Sequence, residues 1–299
     1  MNFRRLIIDV SSILRAAHFV VDKEYGFKVP FEGKMVQISS AEHAFGVFIQ
    51  SYLGVLNTTG TAPFQTVLVK DGYDSRRLRK MFYPEYKGKR PAHPPELNAE
   101  YKILVDGVVD EIVSMGGTVM VQQGMEADDV IAYLCQNLEG HKTVWSRDGD
   151  MLALRNADVD ILLQGTGGNQ LNPEVYKMCP AEHVLIYKSL VGDTSDNLPG
   201  AKGFGPGKFV DMIKTFGLDC LDDFHRLLDE RRLHQLEDDV REFKPLQKIL
   251  DNQAAVYSSY ACAKFYPDKI NLASDPLQIQ TGMVQQWDPE LRHPSLQQY

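Results

Sequence analysis

Five short runs of β-branched and aliphatic residues divide the first three-fifths of the chain, and a stretch with helical patterning follows each of them. Strands that alternate with helices are typical of βαβ units, in which neighbouring strands run parallel. Runs that are apolar on both faces favour a sheet covered by helices on each side. The sequence therefore predicts an α/β fold with a mostly parallel central sheet flanked by helices. The runs are LIIDV (6–10), TVLVKD (66–71), TVMVQ (118–122), KTVWSRD (142–148) and VDILL (159–163).

Strand-like runs end near residue 185, and helical patterns continue from there. A Gly/Pro-rich connector, GDTSDNLPGAKGFGPGKFVDMIKTFG (192–217), lies between helical stretches. We therefore predict two domains, an α/β core over residues 1–185 and a helical region over 186–299. The last stretch, WDPELRHPSLQQY (287–299), contains two prolines and no periodicity, and we interpret it as a tail or an edge segment.

The composition is that of a globular protein, with 299 residues of which 43% are hydrophobic and 24% charged. No stretch reaches the roughly 18 apolar residues of a membrane helix, so we expect a cytoplasmic protein with no membrane partner. The four cysteines form no C-x-x-C pair and no H-E-x-x-H motif occurs, so neither a zinc site nor a disulfide framework is indicated. A monomer is the default expectation.

Acidic residues follow the predicted strands at the point where each strand ends. In a parallel sheet these C-terminal ends lie along one edge, where such folds place their ligands. Two more acids in GDTSDN join them if that loop folds back over the edge, since their i, i+3 spacing lets both face the same way. The sequence thus predicts a carboxylate-lined crevice. Its members are Asp9, Asp71, Glu126, Asp128, Asp129, Asp148 and Asp150, with Asp193 and Asp196 from the loop.

Such a crevice needs positive charge, because two carboxylates about 4 Å apart repel by about 1 kcal/mol in water and about 4 kcal/mol at an effective dielectric of 20. Oxygen ligands without a nearby Cys or His favour hard divalent cations such as Mg²⁺ or Mn²⁺. Two such ions about 4 Å apart could clamp the attacking and leaving oxygens of a phosphoryl displacement. The pattern indicates a phosphodiesterase. The alternative is a set of scattered surface acids, with those of GMEADDVIAYL (124–134) merely suiting the first turn of a helix.

The basic residues are concentrated in one segment, although the net charge of the chain is −8. DSRRLRKMFYPEYKGKR (74–90) holds seven bases against two acids, with three aromatic residues among them. This mixture is expected where phosphates are neutralised and bases stack. The alternative is an ordinary basic helix that faces solvent.

Taken together, LIIDV, VKDGYDSRRLRKMFYPEYKGKR, GMEADDVIAYL, SRDGDM and GDTSDNLPGAKGFGPGK resemble the 5′-nuclease superfamily. The nearest resemblance is to the bacterial and bacteriophage 5′–3′ exonucleases, or flap endonucleases, that also form the N-terminal domain of DNA polymerase I. The motifs occur in family order over residues 6–210. The chain departs from the family at Val10, where Gly is usual, and at Lys70, where Phe is usual, and residues 22–40 match nothing in it.

The resemblance implies roles for the matching residues. It implies a first metal cluster of Asp9, Asp71, Glu126, Asp128 and Asp129, and a second of Asp148, Asp150, Asp193 and Asp196. It implies a helical arch over about 74–105, from which Lys87 and Arg90 reach the scissile phosphate and act in catalysis with Asp128 and Asp148. It implies DNA contacts by Arg76, Arg79, Lys80, Tyr86 and Lys89. Finally, it implies a helix-hairpin-helix-like turn over about 190–215, where Lys202, Gly203, Gly205, Gly207 and Lys208 approach a phosphate or a K⁺ ion.

The function implied is hydrolysis of DNA near a free 5′ end at a flap, nick or duplex end, with two divalent cations, Mg²⁺ or Mn²⁺. We expect a free-standing enzyme of replication or repair in a bacterial or phage-infected cell, with a polymerase or a single-strand-binding protein as its protein partner. Two alternatives remain. One is a PIN-like ribonuclease, which shares the carboxylate-lined sheet, and the other is a non-catalytic, structure-specific DNA-binding protein.

Overall fold

A computed structural model describes residues 4–18, 26–270 and 280–281. The strands are β1 (Arg4–Asp9), β2 (Gly26–Phe31), β3 (Lys34–Ser39), β4 (Thr66–Lys70), β5 (Thr118–Val121), β6 (His141–Ser146), β7 (Val159–Gly165), β8 (Gly168–Leu171), β9 (Val175–Tyr176), β10 (Cys179–Pro180) and β11 (Gln280–Thr281). The helices are α1 (Val10–His18), α2 (Ala41–Thr59), α3 (Arg77–Phe82), α4 (Pro95–Ser114), α5 (Ala127–Asn137), α6 (Val184–Val191), α7 (Pro206–Phe216), α8 (Cys220–Asp229), α9 (Leu246–Asp251) and α10 (Gln253–Ala263).

The central sheet has seven strands in the order β11-β5-β4-β1-β6-β7-β8. The strands β5, β4, β1, β6 and β7 pair in parallel, while β8 and β11 add antiparallel edges. These five parallel strands are the five runs identified in the sequence, so the predicted α/β class and parallel sheet are confirmed. The crossover order places the C-terminal ends of β1, β4, β5 and β6 side by side.

Side chains that alternate along the strands fill two apolar layers, one on each face of the sheet. On one face Leu6 and Ile8 of β1 pack with α1, α2 and α4, and on the other Ile7 packs with α5. All three side chains are fully buried. Because both faces are covered, a β1 made of consecutive apolar residues is stable, and its polar end at Asp9 is fixed at the edge of the sheet.

The helical region forms its own apolar cluster around Phe209, Phe224 and Ile249. A smaller cluster that includes Tyr86 and Leu185 joins this region to the α/β core. The division predicted at residues 185 and 186 lies inside α6, whose side chains are almost all buried. The two-domain division therefore stays a prediction.

The segment predicted as an arch consists of α3, consecutive turns over residues 83–90 and the start of α4. Part of the unmatched stretch 22–40 forms a hairpin of β2 and β3, which packs on Leu97 of α4. Residues 22–25 and the expected tail at 287–299 lie outside the described residues. No helix within the described part of the chain is long and apolar enough to cross a membrane.

Candidate active site

A cavity of about 430 Å³ opens at the C-terminal edge of the sheet, where the sequence places its acids. Asp9 is the last residue of β1 and Asp71 follows β4. Asp128 lies in the first turn of α5, and Asp148 follows β6. All four line this cavity, so the parallel sheet brings together carboxylates from four separate segments of the chain.

Serine hydroxyls and backbone amides hold Asp9 in place. Its Oδ1 accepts a hydrogen bond from the amide of Ser12 at 3.1 Å, and its Oδ2 accepts one from Ser146 Oγ at 2.8 Å. Ser146 Oγ also accepts from the amide of Asp148 at 2.9 Å. These two serines fix the spacing of Asp9 and Asp148, and the sequence interpretation missed both because a serine beside a strand end carries no distinctive signal.

The loop that carries Asp71 is clamped against the start of α5. Asp71 Oδ1 accepts from the amide of Ala127 at 2.9 Å, and its Oδ2 accepts from Ser11 Oγ at 2.9 Å. The next residue must be glycine, because a Cβ on Gly72 would lie 1.9 Å from the carbonyl oxygen of Gln122. The close approach of these two backbones brings Asp71 within reach of the acids of α5.

No cation of the protein within the described ranges forms an ion pair with these four carboxylates. Burial, and then the charge of Asp71, raise the pKa of Asp9 to about 7. Burial, with repulsion from Asp148 and Asp9, raises the pKa of Asp128 well above its ordinary value. Burial acts to raise the pKa of Asp148 too, but the charge of Lys188 outweighs it and holds that pKa below its ordinary value. A cation bound in this acidic pocket would favour the charged form of its carboxylates.

The remaining five acids of the predicted clusters are ion-paired with side chains of the protein. Glu126 Oε1 lies 2.7 Å from Lys87 Nζ, and Arg90 Nη2 lies 2.7 Å from Asp196 Oδ1. The other three are Asp129, paired with Arg79, and Asp150 and Asp193, both paired with Lys188. Among the residues that the structure describes, the nine predicted ligands thus divide into five ion-paired carboxylates and four without an ion pair.

Arg79 is buried, with 2% of its surface exposed, so the prediction that it contacts DNA is wrong. Its guanidinium donates to both oxygens of Asp129 at 2.7 and 3.0 Å, lies 2.9 Å from Glu126 Oε2, and donates to the carbonyl of Cys262 at 2.9 Å. Asp129 also accepts from the amide of Tyr266. The prediction of Asp129 as a metal ligand is not supported either, because both its oxygens face this pair rather than the cavity. The basic pattern of α3 gave no sign that one arginine turns inward.

Lys188 of α6 is the cationic residue that the sequence interpretation missed. Its Nζ lies 2.6 Å from both oxygens of Asp150 and 2.8 Å from Asp193 Oδ2. Burial acts to lower the pKa of Lys188, but Asp150 and Asp148 outweigh it and raise that pKa well above its ordinary value. A lysine inside the apolar helix VLIYKSLV has the pattern of an ordinary helix face, so only the tertiary structure identifies it.

The segment over residues 83–90 contributes Lys87 and Arg90 to the lining of the cavity. Lys87 has a positive φ of 53°, and its amide donates to the carbonyl of Asp196 at 2.9 Å. A non-glycine residue in this conformation is strained, and such strain is concentrated at functional sites. Tyr86 is 2% exposed and donates to Glu126 at 3.1 Å, so it is a buried support for that carboxylate, and its burial argues against the predicted contact with DNA.

The other predicted DNA contacts lie at the surface. Arg76 lines the cavity beside Lys87 and Arg90, while Lys80 and Lys89 are exposed. In the glycine turn, Gly203 has a φ of +83°, and Lys208 Nζ donates to its carbonyl oxygen. Apart from their neighbours in the chain, no described residue lies within 4 Å of the places where Gly205 and Gly207 would carry a Cβ, so there is space for a ligand beside both glycines. Lys202 is exposed at this turn, and the roles of these residues stay predictions.

Within residues 4–18, 26–270 and 280–281, no three His, Cys, Asp or Glu side chains form a preassembled metal cage. The four free carboxylates nevertheless offer the oxygen donors that hard divalent cations prefer. Burial first, and then the negative charge of neighbouring carboxylates, raise the pKa of both Asp9 and Asp128. A cation bound among the four carboxylates would offset the repulsion between their charges. The acids that fit such an ion are Asp9, Asp71 and Asp128 of the first predicted cluster, together with Asp148.

Residues 4–180 match the family described as 5′-3′ exonuclease, N-terminal resolvase-like domain, which is more than half of the chain. A 5′-3′ exonuclease of Mycoplasma genitalium is 31% identical over 62% of this chain and 61% of that protein. One of Aquifex aeolicus is 30% identical over 73% of this chain and 70% of that protein. A third, of Mycoplasma pneumoniae, is 32% identical over 47% of this chain and 50% of that protein. The alignments thus span less than two thirds of either Mycoplasma relative.

Two solved structures of a bacteriophage T5 enzyme have the same fold. T5 5′-exonuclease with bound zinc ions aligns with a TM-score of 0.62 and 18% identity over 89% of this chain and 90% of that one. The T5 flap endonuclease in a complex with DNA and metal ions aligns with a TM-score of 0.59 and 18% identity. At this level of identity the likeness shows the fold.

Proposed function

Because the chain belongs to the family of 5′-3′ exonucleases with an N-terminal resolvase-like domain, we propose that it hydrolyses DNA phosphodiester bonds near a free 5′ end, as an exonuclease or flap endonuclease. One observation carries the proposal. Four carboxylates without an ion-pair partner in the described residues face the same cavity as the cationic side chains of Arg76, Lys87 and Arg90. A cavity with both signs of charge suits a cation and a phosphate together.

The reaction that we propose requires Mg²⁺ or Mn²⁺, held by Asp9, Asp71, Asp128 and Asp148. When bound, such a cation supplies Lewis acidity and lowers the pKa of a water molecule. Ser12, Ser146 and the amide of Ala127 keep the carboxylates aimed into the cavity. We propose two bound ions for the DNA-bound state only, because phosphate oxygens of the DNA would then be additional ligands for the second ion.

Lys87 and Arg90 would bind the phosphate of the bond to be cleaved. Lys87 Nζ holds Glu126 at the cavity wall, and Arg90 holds Asp196 at the cavity mouth. An incoming phosphate can replace either carboxylate as the partner, because phosphate oxygens form charge-assisted hydrogen bonds of the same kind. Both cations would then stabilise the negative charge that builds up on the phosphoryl oxygens. The DNA backbone on either side would contact Lys80, Lys89, Lys202 and the glycine turn, where K⁺ is a further candidate ligand.

The experiment incubates the protein with a 5′-flap DNA, a matching RNA and a blunt duplex, in Mg²⁺ or in EDTA. We expect 5′ fragments from DNA in Mg²⁺ only, and none from Asp148→Asn. Asp106→Asn is the matched control, because Asp106 is an exposed acid on α4. Cleavage of RNA alone would favour the PIN-like ribonuclease. Binding of flap DNA without cleavage would refute the enzyme and favour the DNA-binding protein.

A role in DNA replication or repair follows from this activity, since both processes produce 5′ flaps and nicks. A polymerase or a single-strand-binding protein would be the partner that leaves such an end or covers the strand beside it. Gel filtration of the free protein tests the expected monomer.

A further inference from the structure

Lys188 lies at the centre of the second predicted acidic cluster. It is the fifth residue of α6, and 4% of its surface is exposed. Asp150 reaches it from the short 3₁₀ helix after β6, and Asp193 reaches it from the loop after α6. The ammonium nitrogen lies within 2.8 Å of both carboxylates. Three segments of the chain therefore meet around one buried cation.

The contacts of Lys188 use the same oxygens that a metal ion would need. Its Nζ donates one well-aligned hydrogen bond, to Asp150 Oδ2. Asp150 Oδ1 and Asp193 Oδ2 are buried and lie 2.6 and 2.8 Å from the same ammonium nitrogen, which is their close cationic contact among the described residues. A divalent cation could take these two oxygens only if the ammonium moved away.

The other two acids of the second cluster, Asp148 and Asp196, offer few further oxygens to a divalent cation. Asp196 is paired with Arg90. Of the four acids in this cluster, only Asp148 has no ion pair among the described residues. Asp148 also lines the cavity with Asp9 and Asp128, where it is available to a cation of the first cluster. The residues of the second cluster thus do not fit a firmly held metal ion while Lys188 is in place.

We propose that Lys188 is the resident cation of the second acidic cluster, so that the DNA-free protein holds one divalent cation firmly and a second only weakly. Lys188 acts as a positioning residue, because its ammonium contacts the carboxylates of Asp150 and Asp193 and holds both in place. The inference rests on the proposed function in one respect, the binding of a divalent cation by Asp9, Asp71 and Asp128 with Asp148. The ammonium of Lys188 neutralises the carboxylates of Asp150 and Asp193 before DNA binds, whatever the concentration of divalent cation.

A second lysine nearby provides a matched control. Lys177 Nζ lies 3.9 Å from Asp193 Oδ2, but 47% of its side chain is exposed. An exposed lysine at that distance contributes little, because water screens the pair. Replacement of either lysine by methionine removes one positive charge and keeps most of the aliphatic length, so the two variants differ mainly in burial.

The test is titration of Mn²⁺ into the DNA-free protein, followed by electron paramagnetic resonance of the free ion. We expect one firmly bound ion for the wild type and for Lys177→Met. For Lys188→Met we expect a second bound ion, with affinity at least about tenfold higher than that of any second ion in the wild type. Two equally firm ions in the wild type, or no gain in Lys188→Met, would overturn the inference. Failure of the wild type to bind any Mn²⁺ would instead refute the metal dependence in the proposed function.

Lys188→Met leaves two buried carboxylates without a partner, and the variant is expected to melt at a lower temperature in EDTA than the wild type. Circular dichroism melting with and without Mn²⁺ turns this into a second readout. Mn²⁺ should raise the melting temperature of Lys188→Met more than that of Lys177→Met, because the ion takes the place of the ammonium. If Lys188→Met stays unfolded in saturating Mn²⁺, a divalent ion cannot replace Lys188 and the inference is wrong.

Discussion

Replacing Asp9 with asparagine should stabilise the metal-free protein, and the gain should grow with pH. Asparagine keeps the shape of the side chain, and its oxygen can still accept from the amide of Ser12. Its amide nitrogen can donate to Ser146 Oγ, where the carboxylate now accepts. The substitution therefore removes a buried negative charge and retains the hydrogen-bond partners.

The size of the effect follows from the pKa of Asp9. Burial and the charge of Asp71 raise that pKa from 3.8 to about 7, so the folded protein holds a proton that the unfolded chain releases. Below about pH 4 the Asp9 carboxyl is protonated in both the folded and the unfolded protein, so the full free energy of unfolding is present. As the pH rises from about 4 to about 7, only the unfolded chain loses this proton, and the free energy of unfolding falls. The decrease in the free energy of unfolding is complete above pH 7, where it amounts to about 4 kcal/mol, and it is about 2 kcal/mol at pH 5.

The assay is urea unfolding in EDTA at pH 5 and pH 8, followed by circular dichroism, for the wild type and Asp9→Asn. We expect the variant to be more stable at both values, by about 2 and about 4 kcal/mol. Mg²⁺ should stabilise the wild type at pH 8 and have a much smaller effect on the variant. Asp106→Asn should show no such dependence, since its carboxylate is exposed.

Two results would refute this reasoning. If Asp9→Asn is less stable than the wild type at pH 8 in EDTA, the carboxylate of Asp9 stabilises the fold and does not oppose it. If the difference is the same at pH 5 and pH 8, the substitution acts through its hydrogen bonds and not through charge.

The remaining predictions concern catalysis, the buried arginine and DNA affinity. Asp128→Asn should lower the rate of Mg²⁺-dependent flap cleavage by at least about 100-fold with normal DNA binding, and a smaller loss would exclude it as a metal ligand. Lys87→Met should lower kcat more than it raises the Kd for flap DNA, and an unchanged kcat would contradict its role at the phosphate. Arg79→Met should reduce the free energy of unfolding by about 3–5 kcal/mol, because it leaves Asp129 unpaired, whereas Arg76→Met at the cavity wall should leave it within about 0.5 kcal/mol. Lys80→Met should make the slope of log Kd against log salt shallower by about one if this lysine contacts a phosphate, and an unchanged slope would remove it from the interface.

The sequence alone determined the sheet and the location of the site. Five apolar runs specify parallel strands because only a covered sheet can bury both their faces, and the C-terminal ends of such strands must share one edge. Asp9, Asp71, Asp128 and Asp148 follow directly from that rule. The positions of these acids could be predicted because Asp9, Asp71 and Asp148 lie within two residues of a strand end and Asp128 lies in the first turn of the helix that follows β5.

Only the tertiary structure decided which charges remain free. Arg79 meets Asp129 across 50 positions of the sequence and the carbonyl of Cys262 across 183, and neither pairing leaves a local pattern. Lys188 pairs with Asp150 across 38 positions for the same reason. The energy of an ion pair depends on the distance between the two charges and on their burial. Both quantities are set by the tertiary structure, so the residue types alone do not reveal them. Thus the sequence predicted where nine acids gather, and the fold determined that five of them pair with cations of the protein while four have no ion pair among the described residues.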